Sequence, residues 1–177
     1  MPRRLHFGGK LRSEDWEVLD ANPAPYVDHL GDASDLARFA DNTFSAIYAS
    51  HVVEHFDYTG ALAKTLTEWR RVLIPGGQLW VSVPDLDVLA QLFLAKELTA
   101  NERFFVMRMM FGGHVDQYDY HVVGLNQEFL SGFLHGCGYV NLRTVPSFNL
   151  FQDTSSMLFK GVAISLNMIA EKPGVPL

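Results

Sequence analysis

Short apolar runs alternate along this chain with stretches that repeat at helical spacing, the pattern of strands interleaved with helices. Residues 5–7 form an apolar run cut off by Gly8-Gly9. Residues 16–19 form a second, ending at Asp20. Residues 27–30 form a third, ending at Gly31-Asp32, and residues 44–49 a fourth. The period then changes. Leu62, Leu66, Trp69 and Leu73 fall on one helical face, with Lys64, Thr65, Glu68 and Arg71 between them. Pro75-Gly76-Gly77 ends that helix, because proline cannot continue it and glycine turns freely. Residues 78–83 form a fifth strand stopped by Pro84, and Asp85 can cap a helix running to about Ala95.

The second half is less regular. A helix is predicted over 101–110 and a loop from Gly112 to His121. Asn126 can cap a helix over 127–135 with Phe129, Leu130, Phe133 and Leu134 inward. Residues 141–145 form a sixth strand and 162–170 a seventh. No helix separates the last two, which predicts an antiparallel pair at a sheet edge. The sum is an α/β fold: a mostly parallel seven-stranded sheet with a final antiparallel strand and helices on both faces. One domain is expected over 1–177, with 96–124 inserted on the substrate side. Only about nine residues separate the first two strands, while a parallel crossover normally takes a dozen or more. The helical layer at the N-terminal end is therefore expected to be reduced. The bare apolar sheet surface this leaves predicts a homodimer that covers it.

Composition narrows the picture. Nearly half of the 177 residues are hydrophobic, enough for a sizeable core. The formal net charge of -6 disfavours a nucleic-acid partner. A single cysteine, Cys137, allows no internal disulfide and fits a reducing compartment. No run suits a signal peptide or a membrane span, so a cytoplasmic location and no membrane partner are expected.

Particular residues then add a resemblance. Asp41-Asn42-Thr43-Phe44, the run from Ile47 to Phe56, Glu68-Trp69-Arg70-Arg71-Val72-Leu73-Ile74-Pro75-Gly76-Gly77, and Val83-Pro84-Asp85-Leu86 resemble the class I S-adenosylmethionine (SAM)-dependent methyltransferase superfamily. Asp153-Thr154-Ser155-Ser156 and Ile164-Ser165-Leu166-Asn167 resemble one subgroup of it. The resemblance covers nearly the whole chain. It implies a Rossmann-like sheet whose ligand sits beyond the carboxyl ends of the strands, SAM as cofactor, and methyl transfer to a small-molecule or saccharide acceptor, with oxygen the expected acceptor atom.

Under that resemblance the strand tips supply the cofactor site. Gly8 and Gly9 bring backbone N–H groups close to the amino-acid part of SAM. Asp20 accepts from the two ribose hydroxyls. Asp32, with the Ala33 backbone N–H, meets adenine, and Ser50 and His51 complete the site. Each residue also has a plainer reading: Gly-Gly as a turn, Asp20 as a turn former, Asp32 as the cap of a short helix over 34–38. One departure stands out, since Gly8-Gly9-Lys10 replaces the family's Gly-x-Gly. A degenerate domain without cofactor is accordingly the alternative.

If the acceptor must lose a proton, His51, His114 and His121 are the candidate bases, the last two in a loop that also holds Asp116, Tyr118 and Tyr120. No metal is expected in that loop. His51-Val52-Val53-Glu54-His55 also matches H-x-x-E-H, which on a helix would place two zinc-binding histidines on one face. That makes a zinc peptidase the third and weakest reading. Within the methyltransferase reading Glu54 and His55 are structural.

Overall fold

The computed structural model describes residues 2–115 and 117–174. Strand β1 (Arg3–Phe7) pairs in parallel with β2 (Glu17–Asp20) on one side and β4 (Phe44–Ser50) on the other. β3 (His29–Leu30) extends the sheet beyond β2, and β5 (Leu73–Pro84) extends it beyond β4. Two later strands, β6 (Val140–Thr144) and β9 (Ser165–Glu171), close the order β3-β2-β1-β4-β5-β9-β6, with β9 antiparallel to both its neighbours. The mostly parallel seven-stranded α/β sheet expected from the sequence is present.

Two boundaries differ from expectation for identifiable reasons. The helix expected to stop at Pro75-Gly76-Gly77 ends at Val72, and β5 begins at once with Leu73 beside Phe44. The register then jumps to Gln78 beside Ala46, so the Pro-Gly-Gly segment bulges out of the ladder rather than preceding it. The single strand expected over 162–170 is two. β7 (Leu158–Phe159) and β8 (Val162–Ala163) make a separate hairpin through Lys160 and Gly161, both at positive φ. Ile164 breaks the run: it packs with Leu89, Leu98 and Val106, away from the main sheet.

One face of the sheet is covered by helices. Helix α1 (Ala61–Val72) buries Leu62, Leu66 and Trp69, and α4 (Gln127–Gly136) buries Leu130 and Leu134 against the same core as Leu5, Phe7 and Ile47. Phe129, expected inward, is half exposed, because the buried stripe follows the i, i+4 pair Leu130 and Leu134. Arg71 knits α1 to the preceding loop, with bonds to Glu68, Asp41 and the Leu36 and Phe39 carbonyls. Helices α2 (Leu86–Leu94), capped by Asp85, and α3 (Ala100–Phe111), opened by a Thr99–Glu102 capping box, pack on each other beside the β7–β8 hairpin. No helix among the described residues is long and apolar enough to cross a membrane.

The other face is filled by aromatic residues from loops. Residues 8–16, between β1 and β2, contain no helix. Trp16 from that segment and Phe148 and Phe151 from the loop after β6 pack on Tyr48, Trp80 and His6. The Tyr48 hydroxyl donates to Asp153 Oδ2 at 2.8 Å, while Asp153 Oδ1 accepts from the Ser155 N–H. Asn167 donates to the Pro146 and Ser155 carbonyls, and Ser165 to the Thr154 carbonyl. The two C-terminal motif segments thus lock each other and hold the loop down. The sheet face on which the homodimer expectation rests is filled within one chain.

Two outcomes follow from this face. His6 is buried against Phe151 and Tyr48 with Nδ1 unpartnered among the described residues, and burial lowers it to about 4. The fold therefore favours its neutral form, which contributes stability above pH 6.5 that is lost as pH falls toward 4. The difference corresponds to roughly 3 kcal/mol. Thermal unfolding across that window should show a falling melting temperature, and His6→Phe should flatten the slope. Burial likewise lowers His121, which adds in the same sense. Tyr48→Phe should cost about 1.5–3 kcal/mol in urea unfolding by stripping Asp153 of its donor; a neutral result would show that the latch contributes nothing.

Candidate functional site

The parallel arrangement brings the carboxyl ends of β1, β2 and β4 to one edge, where a cleft of about 670 Å³ opens, a size typical of small-molecule sites. Gly8, Asp20, Asp32, Ala33 and His51 all line it, together with Lys10, Asn22, Val52 and Phe56. The opposite wall comes from the loop after α3, through Val115, Gln117, Tyr118, Asp119, Tyr120 and Val122.

Gly8 has φ +69, and a Cβ there would meet nothing within 4 Å. Its N–H donates to the Leu19 carbonyl, which ties the tight turn to β2. The left-handed backbone, not crowding, is what calls for glycine. Gly9 is different: it does not line the cleft, and a Cβ there would lie 2.8 Å from His6 Nδ1 and 3.1 Å from Val18. It is a packing glycine behind the aromatic face. Asp20 is 9% exposed; Oδ1 accepts from the Asn22 N–H at 2.8 Å and Oδ2 lies 3.4 Å from Lys10 Nζ. Asp32 Oδ1 accepts from the Ser34 N–H. It closes a turn, since the short helix expected over 34–38 is absent and those residues form turns and irregular chain. Trp69 Nε1 donates to the Ala33 carbonyl at 2.7 Å, so α1 fixes this corner of the cleft.

His51 sits at positive φ just past β4, and its N–H donates to the Ser82 carbonyl. Its Nε2 is 2.9 Å from Ser165 Oγ. Because Ser165 spends its proton on the Thr154 carbonyl, which can only accept, His51 Nε2 is the donor. Its Nδ1 faces Glu54 Oε1 at 3.3 Å. Both ring nitrogens are engaged, which weakens His51 as a base for a substrate. Ser50 shares the face of Tyr48, two residues earlier, and is not on the cleft wall.

The other two candidate bases are not on the wall either. His114 is exposed, stacks on Tyr120 at 4.0 Å and contacts the Phe111 carbonyl through Nε2. His121 is partly buried, 3.9 Å from Glu54 Oε1. Asp116 lies outside the described residues. The H-x-x-E-H peptidase geometry is overturned, because His51 lies outside any helix and residues Val53–His55 make a single 3-10 turn. Its two histidines do not share a helical face.

Glu54 is 1% exposed, and neither carboxylate oxygen has a hydrogen bond of good geometry among the described residues. Burial pushes its carboxyl up, but the His51, His55 and His121 imidazoles around it outweigh that and hold it below the usual value. The sequence offered Glu54 and His55 only through the H-x-x-E-H run and His121 only as a candidate base; neither their grouping nor Lys10 was expected. For Lys10 the signal was its position directly after Gly8-Gly9.

Tested against SAM, the strand tips fit the adenosyl half: a glycine turn with open space beside it, a nearly buried carboxylate at the end of β2, and Asp32-Ala33 just past β3. The first loop, which has no helix behind it, offers Lys10 in place of a helix N-terminus.

A parallel sheet in this order, one late antiparallel strand and a cleft over the strand tips define the class I methyltransferase fold. The sequence matches the methyltransferase domain family over residues 14–81. Solved structures agree across the whole chain. A SAM-dependent methyltransferase from Archaeoglobus fulgidus aligns with TM-score 0.61 at 16% identity, over 97% of this chain and 86% of that one. The CurJ carbon methyltransferase aligns with TM-score 0.57 at 16% identity over 98% of this chain, which spans only about half (49%) of its length. Burkholderia thailandensis 1,6-didemethyltoxoflavin-N1-methyltransferase, solved with bound 1,6-didemethyltoxoflavin and S-adenosylhomocysteine, aligns with TM-score 0.59 at 15% identity, over 97% and 71% of the two chains. No curated protein matches. The family match covers less than half of the chain, and the solved structures show that it shares the class I methyltransferase fold.

The two glycines of the first loop separate by substitution. Gly8→Ala should cost about 1–2 kcal/mol through backbone strain alone. Gly9→Ala should cost about 1–3 kcal/mol through overpacking and should perturb His6 and Trp16, read as a change in near-ultraviolet circular dichroism that Gly8→Ala does not show.

Proposed function

We propose that the chain binds SAM in the cleft over β1, β2 and β4 and transfers its methyl group to an oxygen of a small-molecule or saccharide acceptor. The observation that carries this reading is the convergence of Gly8, Asp20, Asp32 and His51 on one cleft wall. Bound SAM supplies an electrophilic methyl on a sulfonium leaving group, so the protein contributes chiefly proximity and alignment. Asp20 accepts from the ribose hydroxyls. Asp32 and the Ala33 N–H meet the adenine edge, held in place by Trp69. The Gly8 turn admits the amino-acid end, where Lys10 supplies the positive charge that the missing helix would have provided. The loop wall from Val115 to Val122 bounds the acceptor side. Acceptor class and acceptor atom are supported by the superfamily resemblance alone, and the neighbours named above include both carbon and nitrogen methyltransferases.

A second reading, the same fold without cofactor, draws support from Lys10 lying against Asp20, where ribose hydroxyls would bind. Calorimetry with S-adenosylhomocysteine separates the two. The first reading expects micromolar affinity, with Asp20→Ala abolishing binding. Absence of heat and of any thermal shift up to millimolar ligand would favour the second. Wild-type affinity in Asp20→Ala would remove the ribose assignment.

A further inference from the structure

The Glu54 cluster is unexplained by methyl transfer. A buried carboxylate without hydrogen bonds is costly unless a cation neutralises it. Glu54 is that case: neither oxygen has a hydrogen bond of good geometry among the described residues, and the ring nitrogen that faces Oε1 at 3.3 Å, Nδ1 of His51, is not the one that carries the proton given to Ser165. Around it stand His55 and His121, and one ligand atom from each of the three lies within 4.8 Å of the others. His55 Nδ1 is 3.0 Å from the Tyr120 carbonyl, which can only accept, so Nδ1 carries the proton. The remaining nitrogen, Nε2, is left as a bare lone pair. A histidine that donates one nitrogen to a backbone carbonyl and stands beside a carboxylate with the other unprotonated has the arrangement of a metal ligand. His121 has its own Nδ1 buried and unpartnered among the described residues.

We propose that Glu54, His55 and His121 form a three-ligand site for a borderline divalent cation such as Zn²⁺, which clamps the loop after α3 onto the tip of β4. Two imidazoles and one carboxylate suit such ions and leave coordination positions open. Metal–ligand bonds of about 2.0–2.1 Å place tetrahedral ligand atoms roughly 3.3 Å apart. Glu54 Oε1 and the nearer His121 nitrogen are already at 3.9 Å, and no pair of ligand atoms exceeds 4.8 Å, so the side chains need to close by about 1.5 Å at most. The clamp joins segments already linked by the Val122 N–H to the Glu54 carbonyl. His55 also lines the cleft, so the ion adjoins the acceptor wall. The site is no peptidase centre, because Glu54 is a ligand rather than a free base and His51 lies outside the set. The proposal does not depend on the methyltransferase reading.

The test uses the full chain stripped with a chelator and titrated with Zn²⁺ alone, followed by calorimetry, thermal shift and the visible absorption of bound Co²⁺. One equivalent per chain, a raised melting temperature and slower proteolysis within residues 112–122 are expected. Glu54→Gln and His121→Gln should lose all three effects, while His114→Gln, in the same loop but outside the cluster, keeps them. Circular dichroism checks each fold, and should His121→Gln fail to fold, Glu54→Gln decides. No binding by the native chain, or native-like binding by Glu54→Gln, overturns the proposal.

Discussion

The parallel pairing of β1 with both β2 and β4 is the constraint from which everything else follows. The β1–β2 half of it is made across a connection of only nine residues, 8–16. Parallel neighbours must run in the same direction, so their carboxyl ends share one edge of the sheet. So short a return leaves no length for a packed helix. The chain therefore turns at once through Gly8, whose left-handed backbone and bond to Leu19 start the return. The cleft and the reduced helical layer are two consequences of one short connection.

The same connection creates a problem on the opposite face, where a helix would otherwise cover the sheet. Trp16 and the loop bearing Phe148 and Phe151 fill that space, and Tyr48, Asp153, Ser155 and Asn167 fix the loop by hydrogen bonds. Ser165 belongs to this latch through the Thr154 carbonyl and also receives His51 Nε2. The aromatic plug and the cleft wall are thereby mechanically joined: releasing the loop after β6 also frees the imidazole at the tip of β4.

Periodicity revealed the sheet because apolar alternation and helical spacing are local properties. The strand tips followed from where polar residues interrupted each run. What stayed hidden was non-local. The pairing of Ile164 with Leu89 and Val106 splits an apparently continuous strand. Gly8 and Gly9 look equivalent in sequence, yet one serves a turn and the other packs against His6. The HVVEH run suggested a helix by its spacing, but residues 51–55 follow a buried strand and bend into a left-handed residue and a 3-10 turn. The motifs near Asp153 and Ser165 were visible as motifs, while their role as two halves of a latch needed the fold.

The two walls of the cleft are built by different physics. One consists of strand tips, positioned by long ladders and a buried core, and tolerates little movement. The other is a loop held by a few bonds around residues 54 and 55, those of Val122 and Tyr120 among them. Segments with few buried apolar contacts open at lower free energy than a sheet does. Under the proposed function, recognition of the cofactor falls to the rigid wall and discrimination among acceptors to the adjustable one. The charged cluster at Glu54 stands where the two walls meet. Whatever neutralises that carboxylate sets how firmly the adjustable wall is held, and so couples the electrostatics of one buried residue to the shape of the cleft.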